Sequence, residues 1–189
     1  GRRVPLWDAR TGDCQSVIEP EYGARTLAFS PDGKRLAIGG SRLTIVDPST
    51  GIADARRVTF PADRLVVWAP DGRGVLSASG SGWIHVHDIP GLGERFRLCS
   101  RTSSGTIRLA WSPDSSFIAT LTFRQIDLWD ARDGRHLCGI SAPDPLEDVA
   151  LSPDGREVVG TSVKRVVSFW NVATGALVRS YLLQNQWDA

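Results

Sequence analysis

A phrase that recurs at a fixed step constrains the fold of this chain more than any other feature. LWDARTGD at residues 6–13 returns as LWDARDGR at residues 128–135, which is 122 residues later. Each copy of the phrase has an Asp or Asn at one point, namely Asp8, Asp47, Asp88, Asp130 and Asn171, with steps of 39, 41, 42 and 41 residues. A repeat of about 40 residues indicates several copies of one small structural unit packed side by side.

A second phrase keeps the same step. It contains Ser or Ala followed by Pro-Asp, and its prolines are Pro31, Pro70, Pro113 and Pro153, with steps of 39, 43 and 40 residues. Proline presets one turn dihedral and Asp bonds nearby backbone, so each copy predicts a β-turn. We therefore interpret the recurring carboxylates as turn residues and not as acid–base or metal groups; they are Asp32, Asp71, Asp114 and Asp154.

Each unit predicts four short strands. An apolar run precedes the Pro-Asp turn, and its continuity predicts a first strand that is buried on both faces. A second strand follows the turn, and a third strand ends at the Trp-Asp pair. An Asp-x-x-Thr-Gly turn, which we expect to be shortened to Asp88–Gly91 in one unit, leads to the fourth strand. Four strands in about 40 residues are typical of a β-propeller blade.

The two phrases resemble the WD-repeat (tryptophan–aspartate) β-propeller family, and the pattern covers nearly the whole chain. The resemblance implies an all-β propeller of four-stranded antiparallel blades, and we treat residues 1–189 as one propeller segment. We expect a partial blade at residues 1–23 and blades at about 24–60, 61–104, 105–144 and 145–189. In this family Trp7, Trp129 and Trp170 would pack between blades. The many Arg and Trp residues and the Ser-Pro-Asp-Gly turns suggest a bacterial-type member.

The number of units falls short of a complete ring. The 189 residues hold about 4.6 units, whereas propellers of this family usually close with about seven blades. We therefore expect an incomplete arc, as a fragment or C-terminal arm of a larger regulatory protein with further blades or domains. The alternatives are a small irregular ring and closure by a second copy.

The sequence also departs from the family pattern. No unit has the Gly-His pair before its first strand or the Asp in its second-to-third turn, so we expect the buried hydrogen-bond network of the family to be missing. His87 occupies the position that Trp holds elsewhere, two residues after His85 on the same strand face. Because no third ligand is near in sequence, we interpret His87 as a substituted packing residue and not as a metal ligand.

Composition and motifs exclude several classes of function. The net charge is +1, and no apolar run approaches the roughly 18 residues that span a membrane. No secretory signal is visible, so we expect a cytoplasmic protein with three buried or half-buried free thiols, Cys14, Cys99 and Cys138. No nucleophile elbow, zinc motif or nucleotide-binding loop occurs. We expect no catalytic residue, no metal and no cofactor.

The second-to-third turns and the connections between units hold the candidate binding residues. In the family these loops form one rim of the ring, where partners dock. We expect a protein or peptide partner of acidic character to contact Arg42, Trp83, Arg124, Lys164, Arg165, Tyr22 and Arg64. The resulting hypothesis is a non-catalytic protein–protein interaction scaffold, with no nucleic-acid or membrane partner.

Two alternatives stay open. Part of a propeller hydrolase or lactonase would need His or carboxylate side chains from several first strands, and these strands are apolar. Binding of RNA or another polyanion through the basic turns is the weaker alternative.

Overall fold

The computed structural model describes residues 3–53, 65–80, 82–99 and 107–183, and these residues form seventeen β-strands and no helix. All strand pairs are antiparallel, which confirms the all-β prediction. In chain order the strands are β1 Val4–Trp7, β2 Cys14–Ile18, β3 Thr26–Phe29, β4 Leu36–Gly39, β5 Leu43–Val46, β6 Leu65–Trp68, β7 Gly74–Ala78, β8 Trp83–Asp88, β9 Glu94–Cys99, β10 Ile107–Trp111, β11 Phe117–Thr122, β12 Gln125–Asp130, β13 His136–Ser141, β14 Leu146–Leu151, β15 Glu157–Ser162, β16 Val166–Asn171 and β17 Leu177–Leu182.

The strands form five sheets, numbered here in chain order, and each sheet uses consecutive strands. Sheets 3, 4 and 5 have four strands each, β6–β9, β10–β13 and β14–β17. Among the described residues, sheet 1 has two strands, β1–β2, and sheet 2 has three, β3–β5. The chain divides into two compact units: unit 1, Gly1–Cys99, holds sheets 1 to 3, and unit 2, Ser100–Ala189, holds sheets 4 and 5.

The Pro-Asp turns join each first strand to its second strand through local hydrogen bonds. The Ser30 hydroxyl donates to Asp32 Oδ1 at 2.6 Å, and the Arg35 amide donates to Ser30 Oγ at 2.9 Å. Gly33 supplies the positive φ, +70°, that the turn requires. The bond from Ser30 is the main reason that the pKa of Asp32 lies below its usual value. The same bonds recur from Ser112 and Ser152 to Asp114 and Asp154.

The Asp-x-x-Thr-Gly turns join third strands to fourth strands. Asp8 Oδ1 accepts the amides of residues 10 and 11, and the Gly12 amide donates to the Asp8 carbonyl at 2.8 Å. The expected shortening at Asp88–Gly91 is wrong. Leu92 takes the place of the glycine, with φ of +50° and its amide 2.7 Å from the Asp88 carbonyl. The side chain of Leu92 is buried in the core of unit 1, which offsets the cost of this conformation.

The second strands, and not the first strands, are the most buried. Every residue of β4, β7 and β11 is buried. The prediction that first strands are buried on both faces is wrong for β14, where only Val149 is buried, and for β3, where Leu27 and Phe29 are 46% and 53% exposed. These two side chains face a groove of about 700 Å³ between sheets 1 and 2, which no described strand fills. Trp7 lines the same groove and is exposed, contrary to the expectation that it packs between blades.

Candidate interaction surface

A second-strand residue meets a third-strand residue at the centre of each sheet from 2 to 5. In sheet 4 the indole N–H of Trp129 donates to Thr120 Oγ1 at 3.0 Å. In sheet 5 the equivalent residues are Gly160 and Trp170, and a Cβ on Gly160 would lie only 3.2 Å from the Trp170 ring. The strand registers define this equivalence. In sheets 4 and 5 the size of the second-strand side chain therefore matches the space beside the third-strand tryptophan.

Sheet 3 keeps a polar version of this pair, in which Ser77 Oγ lies 3.2 Å from His87 Nε2. The expectation that the buried network is missing is therefore only partly right, because its strand-to-strand bond persists in sheets 3 and 4. In sheet 2 the equivalent residues, Ile38 and Val46, are both apolar and lie in one core cluster. An apolar pair needs no hydrogen bond, which is why the bond is absent there.

His87 is fully buried, and its Nδ1 has no hydrogen-bond partner among the described residues. Burial lowers the pKa of His87 to about 4, and the neighbouring His85 ring, 6.0 Å away, adds to the effect. His85 Nδ1 lies 2.8 Å from Glu94 Oε2. The part of the chain that the structure describes contains no group of three or more His, Cys, Asp or Glu side chains that could hold a metal. His87 is thus a neutral packing residue.

Unit 1 places its candidate residues beside aromatic rings. The Arg42 guanidinium lies over the Tyr22 ring at 4.4 Å, and Arg42 Nη1 donates to the Tyr22 hydroxyl at 3.3 Å. Trp83 is exposed, with the Arg97 guanidinium 5.3 Å from its ring. Arg64 lies outside the described residues. Two of the predicted residues are therefore in contact, and Trp83 pairs with Arg97, which sequence reasoning did not single out.

Unit 2 brings its three candidate residues onto one continuous surface, which we call the unit-2 rim. The rim consists of the β11–β12 turn (123–124), the β13–β14 connection (142–145) with the adjoining Leu146, and the β15–β16 turn (163–165). The Leu146 amide donates to the Phe123 carbonyl at 2.7 Å, and the Val163 amide donates to the Pro145 carbonyl at 3.1 Å. Two adjacent residues of the connection therefore hold the two turns together.

Charge on the unit-2 rim is unevenly paired. Lys164 Nζ lies 2.8 Å from Asp144 Oδ1, so this predicted cation is already neutralised. Arg124 and Arg165 have no ion pair among the described residues, and the Arg124 guanidinium lies 5.6 Å from the Phe123 ring centre. The exposed acids next to the rim in sequence, Glu147 and Asp148, lie on β14 outside the rim, and Asp148 Oδ1 is 3.5 Å from Arg108 Nε. The rim itself therefore presents two guanidinium groups that have no ion pair among the described residues.

Phe123 is the rim residue that sequence reasoning missed. It is 58% exposed, and it is the first residue of a two-residue hairpin loop, where φ is +51°. Positive φ at this position normally selects Gly, Asn or Asp. Val163, in the neighbouring turn, is also exposed. The available signal was a large aromatic residue at the first position of a two-residue hairpin loop, where Gly, Asn or Asp is usual.

The other predicted features give no binding or reactive site. Cys14 and Cys99 are exposed and Cys138 is partly buried, so the expectation of buried thiols fails for two of the three. All three are free. Among the described residues, no helix has the length and apolar character of a membrane span.

Comparisons with known proteins agree with the sheet pattern. No family model matches the chain. THO complex subunit 3 of Arabidopsis thaliana is 25% identical over 181 residues, which cover 94% of this chain and 57% of that protein. WD repeat-containing protein slp1 of Schizosaccharomyces pombe is 25% identical over 193 residues, covering 95% of this chain and 38% of that protein.

The fold also matches a chain from a crystal structure of the mitotic checkpoint complex, with a TM-score of 0.81 and 25% identity. The match covers 96% of this chain and 58% of that one, so the chain spans less than two thirds of the length of these relatives. The bacterial-type assignment stays a prediction. Repeat period, four-stranded antiparallel sheets, relatives and structural match together show that the chain is similar to WD-repeat proteins over nearly its whole length and has the fold of part of a WD-repeat β-propeller.

Proposed function

We propose that this chain is a non-catalytic protein-interaction scaffold that binds its partner through the second-to-third turns. The observation that carries the proposal is the unit-2 rim, where exposed Phe123 and Val163 lie beside the unpaired cations Arg124 and Arg165. Aromatic and Arg side chains are the usual anchors of protein interfaces. The sheets below are hydrogen-bonded and hold the turns in place.

The relatives support this choice of class. One is named as a subunit of the THO complex, and the structural match lies in a mitotic checkpoint complex. A further relative, from Dictyostelium discoideum, is named a serine-threonine kinase receptor-associated protein, and it is 24% identical over 186 residues. These names describe members of assemblies. We infer for this chain the same class of role, with a protein or peptide as partner, and a cytoplasmic location stays part of the proposal.

The experiment is quantitative affinity capture with the chain and two charge-reversal variants. Arg124→Glu reverses a charge on the rim. Arg156→Glu is the matched control, because Arg156 is exposed, has no ion pair among the described residues and directly precedes β15, at the opposite end of that strand from the β15–β16 turn. We expect Arg124→Glu to release partners that both the wild type and Arg156→Glu retain. Equal capture by all three proteins, or a lower melting temperature for Arg124→Glu alone, contradicts the proposal.

A further inference from the structure

Four non-glycine residues in the described part of the chain have positive φ: Leu92, Ser115, Phe123 and Arg165. Two of them have a reason within the fold. Leu92 is buried in the core of unit 1. Ser115 is small, and it occupies the place of Gly33 and Gly155 in the equivalent turns. Phe123 and Arg165 are large, and both lie on the unit-2 rim.

An equivalent turn elsewhere in the chain shows which residue type suits the backbone conformation of Arg165. Arg165, with φ of +63°, donates its amide to the Ser162 carbonyl at 2.9 Å. In the equivalent turn of sheet 3, Gly82 has φ of +87° and donates to the Ser79 carbonyl at 3.2 Å. Glycine adopts this conformation without steric cost. The turn therefore does not need the Arg165 side chain.

Phe123 is equally unnecessary to its own turn. The turn is held to the β13–β14 connection by carbonyl groups, since Phe123 O accepts from Leu146 N and Arg124 O accepts from Ala142 N at 2.8 Å. Glycine at position 123 would keep both bonds and remove the unfavourable contact of a Cβ at positive φ. The aromatic ring gains little burial in return. A large side chain held in a disfavoured conformation and left exposed indicates a role outside the fold.

We propose that Phe123 anchors an extended acidic segment of a protein partner, whose apolar side chain contacts Phe123 and Val163 while its carboxylates pair with Arg124 and Arg165. The proposal rests on the scaffold function above and specifies the ligand of that site. The side chains that the rim presents, two apolar and two cationic without an ion pair among the described residues, determine the chemistry of the partner, because bidentate Arg–carboxylate pairs and a desolvated aromatic contact combine orientation with affinity. A polyanion without apolar groups would leave the ring uncovered.

Selection from a peptide-display library tests the proposal. A library of random, unstructured peptides is selected on the immobilised chain, and the enriched peptides are synthesised and measured by fluorescence polarisation. We expect the enriched peptides to have acidic residues next to a large apolar residue. Phe123→Gly should weaken their binding by about tenfold or more, the loss typical of an interface anchor. Its melting temperature should equal or exceed that of the wild type.

Two further variants keep the test decisive. Phe123→Asn serves where Phe123→Gly does not fold, because Asn also tolerates positive φ. Leu177→Ser is the matched control: Leu177 is as exposed as Phe123, but it lies at the opposite end of sheet 5 from the β15–β16 turn. We expect Leu177→Ser to bind the selected peptides as the wild type does.

The possible failures are distinguishable. Peptides that lose binding with Arg124→Glu and Arg165→Glu but not with Phe123→Gly overturn the anchor and leave the scaffold function intact. No enrichment, or peptides indifferent to every rim variant, overturns both. Binding that heparin displaces, and that does not change when the apolar residue of the peptide is replaced by Ser, overturns the peptide proposal in favour of a general polyanion site.

Discussion

Replacing His87 with Gln should remove a specific acid sensitivity of the fold. The pKa of His87 is about 4 in the folded chain and 6.5 for an ordinary histidine. Below pH 6.5 the unfolded chain therefore binds a proton that the folded chain excludes, so the free energy of unfolding falls as the pH drops from 6.5 to 4 and is unaffected above that window. The full difference is about 3 kcal/mol, because each pKa unit corresponds to about 1.4 kcal/mol.

The linkage relation gives about 2 kcal/mol of this loss at pH 5. Burial is the main cause of the low pKa, with a contribution from His85 and smaller opposing ones from Glu94 and Asp88. His87→Gln leaves those neighbours in place and cannot titrate. It should therefore lose about 2 kcal/mol less than the wild type between pH 7 and pH 5.

Urea unfolding monitored by tryptophan fluorescence at both pH values measures the difference. His136→Gln is the matched control, because the imidazole that it removes is half-exposed, whereas that of His87 is buried. His136 Nε2 lies 2.9 Å from Asp127 Oδ1. If the wild type and His87→Gln lose stability in parallel between pH 7 and pH 5, then His87 is not a buried neutral imidazole, and the reasoning from burial is refuted.

Two other substitutions test the matched pairs at the sheet centres. Gly160→Ala should destabilise the chain by about 1 kcal/mol, because the new Cβ would lie 3.2 Å from the ring of the buried Trp170, whereas Gly93→Ala, with open space at its Cβ, should change stability far less. Thermal unfolding compares the two, and equal losses contradict the packing argument. Thr120→Val should cost about 1 kcal/mol by removing the acceptor of the Trp129 indole. Urea unfolding measures this loss, and a variant as stable as the wild type would show that the bond adds nothing.

Much of the fold was predictable because its signals are local. Ser30 and Asp32 form hydrogen bonds to atoms within five residues of themselves. The residues of the turn therefore specify its conformation wherever the same residues recur. Val4–Trp7 and Cys14–Ile18 flank the first Asp-x-x-Thr-Gly turn, in the predicted order of third strand, turn and fourth strand. Leu92 escaped prediction, because a buried leucine can hold a glycine conformation only where the core of unit 1 receives its side chain.

The candidate site was predictable in part. The second-to-third turns and their basic residues follow from the repeat, since the period places Arg124, Lys164 and Arg165 in equivalent loops. The pairing of Lys164 with Asp144 did not follow, because it joins a turn to a connection twenty residues earlier. Nor did the exposure of Phe123, because apolar character alone predicts burial.

The sequence by itself determined the repeat period, the order of four strands and turns in each unit, and the β-propeller class, since each of these depends on hydrogen bonds between near neighbours and on apolar runs that recur at a fixed step. Only the tertiary structure decided which strands are most buried, which cations are neutralised and which aromatic residues stay exposed. These properties depend on residues far apart in the chain. A phenylalanine such as Phe123 has the same chemistry in a core as on an exposed rim. Only the three-dimensional surroundings of the residue distinguish the two environments.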